Sequence, residues 1–212
     1  MTQLNSGLRR FLALPTYYNA FQKLLGSASC RTRLVEEFIR PEPGMRILDI
    51  GCGTAEILEF LPMSVDYVGF DANGECIEHA RQVYGGKGRF FQAFVTGDSH
   101  DAPHSYDIVL ACGLLHHLED REVQGFERTA RAALKPGGRL VTLDCAYTPK
   151  QNPLARFLIS KDRGQNIRSP EGYAEFFDPE LGWRAEINIC NDLLRVPYTH
   201  IIIDAVLESA DC

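Results

Sequence analysis

The 212-residue sequence has no run approaching the 18 consecutive apolar residues of a membrane-spanning helix, so no such helix is expected. It has no Cys-x-x-Cys pair. Its seven cysteines are odd in number and scattered, which argues against a disulfide framework and against a zinc site. Reduced thiols are the expectation, as in the cytoplasm. Basic residues are in deficit: 22 Lys and Arg face 28 Asp and Glu, for a formal net charge of -6. Unspecific binding to a phosphate backbone relies on Lys and Arg, so neither a nucleic-acid nor a membrane partner is expected. The opening stretch, MTQLNSGLRRFLALPTYYNA, lacks the apolar run of a signal peptide, again pointing to the cytoplasm. No repeat, low-complexity segment or linker divides the chain, and 1–212 is read as one domain.

Hydrophobic residues make up 45% of the sequence, enough for one sizeable core. Residues 1–40 read as a helical cover, with Leu34, Val35, Phe38 and Ile39 at helical spacing and Pro41 ending the pattern. Over 41–145, apolar runs alternate with helical patterns. The runs are RILDI (46–50), DYVGF (66–70), RFFQAF (89–94), YDIVLA (106–111) and GRLVTLD (138–144); helices are predicted over 54–61, 74–84 and 120–134. Runs apolar on both faces, separated by helices, predict a parallel sheet covered on both sides. WRAEINIC (183–190) alternates as a half-buried strand does, and YTHIIIDAVL (198–207) is β-prone. The linker NDLLRVP is too short for a helical crossover, so 181–212 is predicted to be an antiparallel hairpin. Residues 146–180 form a long insertion, and a segment of that length is more often functional than idle.

The first strand runs into ILDIGCGTAE, Ile47 to Glu56. Gly51 and Gly53 remove side chains that would obstruct a ligand and permit unusual backbone angles. Asp71 ends the next run, where a carboxylate can accept from both hydroxyls of a ribose; it also suits the start of a helix. A dinucleotide turn would carry glycine where Glu56 stands. Glu56 and Asp49 would both repel a diphosphate at a helix N-terminus, and a cationic nucleoside fits such an acidic surround better.

LDIGCGTAE, YVGFDAN, YDIVLACGLLHHL and ALKPGGRLVTLD stand in the order and at the separations found in the class I S-adenosylmethionine-dependent methyltransferases, and the sequence resembles that family over about residues 45–145. The resemblance implies an α/β, Rossmann-like three-layer sandwich. Its seven-stranded, mostly parallel sheet would end in an antiparallel C-terminal hairpin. It also implies S-adenosyl-L-methionine as cofactor and S-adenosyl-L-homocysteine as product. Gly51, Cys52 and Gly53 would pass beside the methionine moiety, Asp49 would face its ammonium and Asp71 would hold the ribose. Ala72 would flank the adenine, and Cys112 and Gly113 would offer backbone near the sulfonium. The family often has an acid after the third strand; here Phe94 stands there, leaving the adenine to backbone acceptors near Phe94 and Val95.

Methyl transfer from a sulfonium is an in-line displacement, and alignment of the partners can supply about 7–11 kcal/mol. A base is needed only where the acceptor must lose a proton. His116 and His117 follow the fourth strand and titrate near neutral pH, so either can serve as base or can simply pack the rim. Asp144 ends the fifth strand above the same crevice and completes the candidate catalytic set. For the methyl acceptor, a small molecule, the candidates are Tyr147, Arg163, Arg168 and Tyr173, with Tyr17 and Tyr18 on a possible lid. Paired arginines suit an anionic or polar acceptor. No His, Asp or Glu grouping has metal-ligand spacing, and no metal is expected. The oligomeric state is left open. The rival readings are a nicotinamide-dependent oxidoreductase and a methyltransferase-like binding protein without turnover.

Overall fold

The computed structural model describes residues 27–94 and 103–208. Helix α1 (Ser27–Arg33) continues into π-helical turns over Leu34–Ile39. These stop where Arg40 adopts a φ of 48° and Pro41 follows. Seven strands form one sheet: β1 (Arg46–Ile50), β2 (Asp66–Asp71), β3 (Gly88–Gln92), β4 (Tyr106–Cys112), β5 (Leu134–Cys145), β6 (Trp183–Cys190) and β7 (His200–Leu207). Their order is β3-β2-β1-β4-β5-β7-β6. The pairs among β1 to β5 are parallel, and β7 pairs antiparallel with both β5 and β6. Helices α2 (Gly74–Tyr84), α3 (Asp120–Ala133), α4 (Pro153–Ile159) and α5 (Pro170–Ala174) complete the described elements, with short 3-10 turns between them. Among the described residues, no helix is long and apolar enough to cross a membrane.

The period-two alternation of β1 creates two apolar layers. Leu48 and Ile50 pack with Val109, Ala111, Phe126, Ala130 and Trp183 on the α3 side. Ile47 packs with Ile108, Leu110, Ile202, Leu34 and Ile77 on the face covered by α1 and α2. Each of these side chains is almost wholly buried, and burying a Val, Leu, Ile or Phe among them contributes about 1.5–3 kcal/mol. Two polar ties brace the layers. Arg139 of β5 and Arg40 donate to Asp204 of β7 at 2.7 and 2.9 Å. The Trp183 indole donates to the buried Glu127 carboxylate of α3 at 2.8 Å.

Two predicted features differ. The helix over 54–61 is only a 3-10 turn, Glu56–Glu59. Ala55 before it has a φ of 58°, a left-handed conformation that an α-helix cannot begin through, and Pro62 closes the segment soon after. Strand β6 is mostly exposed rather than half-buried, because it forms an edge of the sheet. The strand order reverses between β1 and β4, so the crevice beyond their carboxyl ends is where an open α/β sheet takes ligands.

Candidate active site

At the end of β1 the chain turns through Gly51, with a φ of 77°. A Cβ on Gly51 would lie 2.9 Å from Cδ1 of Leu114, so glycine is needed for space as well as for conformation. The amides of Gly51 and Cys52 donate to the Phe70 carbonyl at 2.7 and 2.9 Å, fastening the turn to β2. Gly53 differs: nothing lies within 4 Å of a Cβ built there. Asp71 anchors this open turn. Its Oδ2 accepts from the Gly53 amide at 2.9 Å and its Oδ1 from the Asn73 amide at 2.7 Å. Each carboxylate oxygen has capacity for a further donor. Helix α2 is capped by Asn73, whose side chain accepts from Glu75.

Asp49 lies beneath the turn and is 3% exposed. Its Oδ2 accepts from the Tyr67 hydroxyl at 2.6 Å, while Oδ1 is buried without a hydrogen-bond partner. Burial lifts the Asp49 carboxyl to about 7; the Tyr67 bond opposes this, and the Asp71 charge adds to it. Glu56 behaves otherwise than expected. It is buried and pairs with Arg31 of α1 at 2.8 Å, so Arg31 offsets its charge. The negative character of the crevice rests on Asp49 and Asp71.

Beyond β4, Cys112 is half-buried and Gly113 is exposed with a φ of 71°. The 3-10 turn Leu115–His117 follows. His116 is buried there between two carboxylates: its Nδ1 lies 2.6 Å from Oδ1 of Asp144, and its Nε2 lies 3.3 Å from Oδ1 of Asp162. Asp144 also accepts from the His116 amide at 3.1 Å. Burial alone would lower the His116 pKa, but the bonds to Asp144 and Asp162 and their charges carry it to about 9. Burial would raise Asp162, yet the His116 bond and charge hold it below the ordinary carboxylate range. The ring of His117 packs against His116 at 4.1 Å between centroids. Burial, followed by the charge of His116, lowers His117 to about 4, so it is neutral where His116 is charged.

Asp162 comes from the insertion. Its Oδ1 also accepts from the Gly164 amide at 2.9 Å, and its Oδ2 from the Tyr198 hydroxyl at 3.1 Å. A Cβ on Gly164 would come 2.7 Å from the His116 carbonyl oxygen, so only glycine lets the loop sit this close. Asn166 then donates to that carbonyl at 3.0 Å. Sequence spacing could not show this convergence; Asp162 stands out in the sequence only as one of the charged residues of the insertion. Ligand atoms of His116, His117 and Asp162 lie within 4.8 Å of one another, a grouping the expectation of no metal did not foresee. Both ring nitrogens of His116 already face carboxylates, the arrangement of an ion-pair cluster.

The remaining candidates fall in different places. Arg168 donates to Asp120 at 2.6 Å and to the carbonyls of Leu115 and Leu118, so it braces the histidine turn. Tyr173 is fully buried, with its hydroxyl donating to the Cys145 carbonyl at 3.0 Å. These two residues pin the insertion to the sheet and are occupied by scaffold contacts. Tyr147 is half-buried beneath the Arg156 guanidinium, and Arg163 is half-buried near His117 and Cys76. Ala72 is half-buried, its carbonyl accepting from Gln92, and Phe94 is 70% exposed. Tyr17, Tyr18 and Val95 lie outside the described residues.

Residues 48–140 match a family described as a methyltransferase domain. A ubiquinone biosynthesis O-methyltransferase of Sinorhizobium medicae is 32% identical over 162 residues, covering 72% of this chain and 64% of that protein. The O-methyltransferase cnsE of Penicillium expansum is 33% identical over 162 residues, covering 67% of this chain and 56% of its own length. The chain thus spans somewhat under two thirds of these relatives. Among solved structures, the S-adenosylmethionine-dependent methyltransferase SibL in its apo form superposes with a TM-score of 0.70. It is 18% identical over 96% of this chain and 60% of that one, a likeness of fold.

Proposed function

We propose that the chain, which resembles the class I S-adenosylmethionine-dependent methyltransferases in its motifs, its matched methyltransferase domain and its fold, transfers a methyl group from S-adenosylmethionine to an oxygen or nitrogen of a small molecule. The observation that carries this reading is the pairing of an unsatisfied buried carboxylate oxygen, Asp49 Oδ1, with the open turn at Gly53. A buried acceptor without a partner costs about 1–3 kcal/mol, and an ammonium relieves that cost where a diphosphate would add to it. Asp71 keeps acceptor capacity for ribose hydroxyls while its amide bonds hold the turn in shape.

When bound, S-adenosylmethionine supplies an activated methyl on a sulfonium. The protein's task is then alignment and exclusion of water. In this reading Cys112 and Gly113 offer backbone at the reacting end. His116 is a positioning residue, fixed by Asp144 and Asp162, whose charge keeps His117 neutral. His117 accepts a hydrogen bond from the O–H or N–H of the methyl acceptor. That role suits a neutral imidazole. Half-burial of the thiol and the high pKa that burial gives Cys52 leave it as packing.

Calorimetric titration with S-adenosylhomocysteine and with NADH tests the reading, together with mass spectrometry of a phenol and amine panel incubated with S-adenosylmethionine. Binding of the homocysteine nucleoside and a gain of one methyl are expected. Tight NADH binding without nucleoside binding would refute the assignment. Nucleoside binding with no methylated product across a broad panel would favour a binding protein without turnover.

A further inference from the structure

A polar cavity of about 490 Å³ lies between the start of the insertion and the loop joining β6 to β7. Its lining includes Thr148, Lys150, Gln151, Asn191, Arg195 and Tyr198. It sits beyond the carboxyl ends of β5 and β6, on the ligand side of the sheet, and no role is assigned to it above.

Three observations point to its ligand. First, Lys150 and Arg195 both face this one space, and neither has an ion-pair or hydrogen-bond partner among the described residues. Most described arginines behave differently: Arg31, Arg33, Arg40, Arg46, Arg139 and Arg168 are all bound to carboxylates. Two cations without a partner among the described residues, on one cavity, are a marked local departure in a chain of net charge -6. Secondly, the acid nearest in sequence, Asp192, is directed elsewhere, to Arg33 at 3.1 Å. Thirdly, the cavity shares a wall with the histidine cluster. Tyr198 lines it and donates to Asp162, which in turn faces His116.

We infer that this cavity binds the methyl acceptor by an oxyanion group, a carboxylate or a phosphate, held by Arg195 and Lys150. This deepens the methyltransferase reading and rests on it. The planar guanidinium matches either oxyanion with two parallel N–H bonds, and the ammonium adds a point charge. The polarity fixes orientation. Asp162, bonded to Tyr198, repels an anionic end and favours the opposite end of the molecule, the nucleophilic one, near His117. Thr148, Gln151 and Asn191 supply neutral polar contacts between the two.

The test uses the full chain, with and without saturating S-adenosylhomocysteine, titrated with benzoate, phenyl phosphate and benzyl alcohol and followed by NMR chemical shifts. At least one of the two anions is expected to bind saturably, and at least tenfold more tightly than benzyl alcohol. Which anion is preferred distinguishes a carboxylate from a phosphate acceptor. Lys150→Glu with Arg195→Glu should weaken the anion at least tenfold and leave affinity for S-adenosylhomocysteine within twofold. Both side chains are exposed, so the fold should tolerate the change, and near-ultraviolet circular dichroism verifies it. Arg156→Glu, also exposed but outside the lining, should have no effect. The inference is overturned if no anion binds saturably, if the alcohol binds as well as the anions, or if the double variant retains anion affinity. Loss of S-adenosylhomocysteine binding by the unaltered protein would instead refute the methyltransferase reading, and the arm without nucleoside still decides the anion question.

Discussion

Changing pH should move cofactor affinity and the Asp49 contribution to folding stability in opposite directions. Asp49 titrates at about 7 in the free protein because it is buried with a single hydrogen bond. A ligand ammonium selects the ionised carboxylate. Affinity for S-adenosylhomocysteine should therefore rise about tenfold per pH unit below 7 and level off above it. Between pH 7.5 and 5.5 the difference is on the order of 2 kcal/mol, at about 1.4 kcal/mol per unit. Folding follows the other sign. The folded protein holds a proton that an unfolded aspartate, with its ordinary value of 3.8, has released, so the Asp49 contribution to stability without ligand falls as pH rises from 3.8 through about 7, while the neutral His117 and His200 contribute with the opposite sign between about 4 and 6.5. Over that window the contribution is about 4 kcal/mol as an upper bound. Calorimetry from pH 5.5 to 8.5, in two buffers of different ionisation enthalpy, counts the protons released on binding. Near pH 6.5 the unaltered protein should release up to one proton, and Asp49→Asn none, with a weak and flat profile. A flat profile in the unaltered protein, or the same profile in Asp49→Asn, would refute the reasoning.

Asp71→Ala should weaken S-adenosylhomocysteine about 100-fold or more, since charged hydrogen bonds contribute about 1.5–3 kcal/mol each and the Gly53 turn also loses its anchor; calorimetry measures this. Gly51→Ala should lower stability by about 1–3 kcal/mol in urea titrations, because its Cβ would crowd Leu114 at a φ of 77°. Asp162→Asn should lower the His116 pKa from about 9, read by NMR of the imidazole protons. In the unaltered protein the His116 contribution is fully present below 6.5 and is lost as pH rises through about 9, and the variant should flatten that window. The same change should alter methyl-acceptor use more than S-adenosylhomocysteine affinity; equal losses in both would contradict the division of labour between the β1 turn and the insertion.

The strands were legible because continuous apolar runs leave few alternatives to a doubly covered sheet. RILDI, WRAEINIC and the helix over 74–84 fall where periodicity places them. The helix over 54–61 failed because apolar spacing carries no information about the left-handed Ala55 that interrupts it. The burial of β6 failed because alternation shows which residues share a face, not whether another layer covers it. Around the crevice, the apolar runs placed Asp49, Gly53 and Asp71 at the carboxyl ends of the first two strands, where the structure has them. The carboxylate on the far side of His116 was not legible, because Asp162 reaches it only through the folding back of the insertion over Gly164. The scaffold contacts of Arg168 and Tyr173 were not legible either, since charge and aromaticity serve scaffold and ligand alike.

Asp162 grips the histidine turn with one oxygen and the hairpin tyrosine with the other, while the Gly51–Gly53 turn hangs from a different carboxylate on β2. The front of the molecule can therefore diversify without disturbing its back. Transplanting 148–162 together with 191–198 between homologous chains should exchange what is methylated and leave the donor's grip alone, because Asp162 and its partner Tyr198 then travel together.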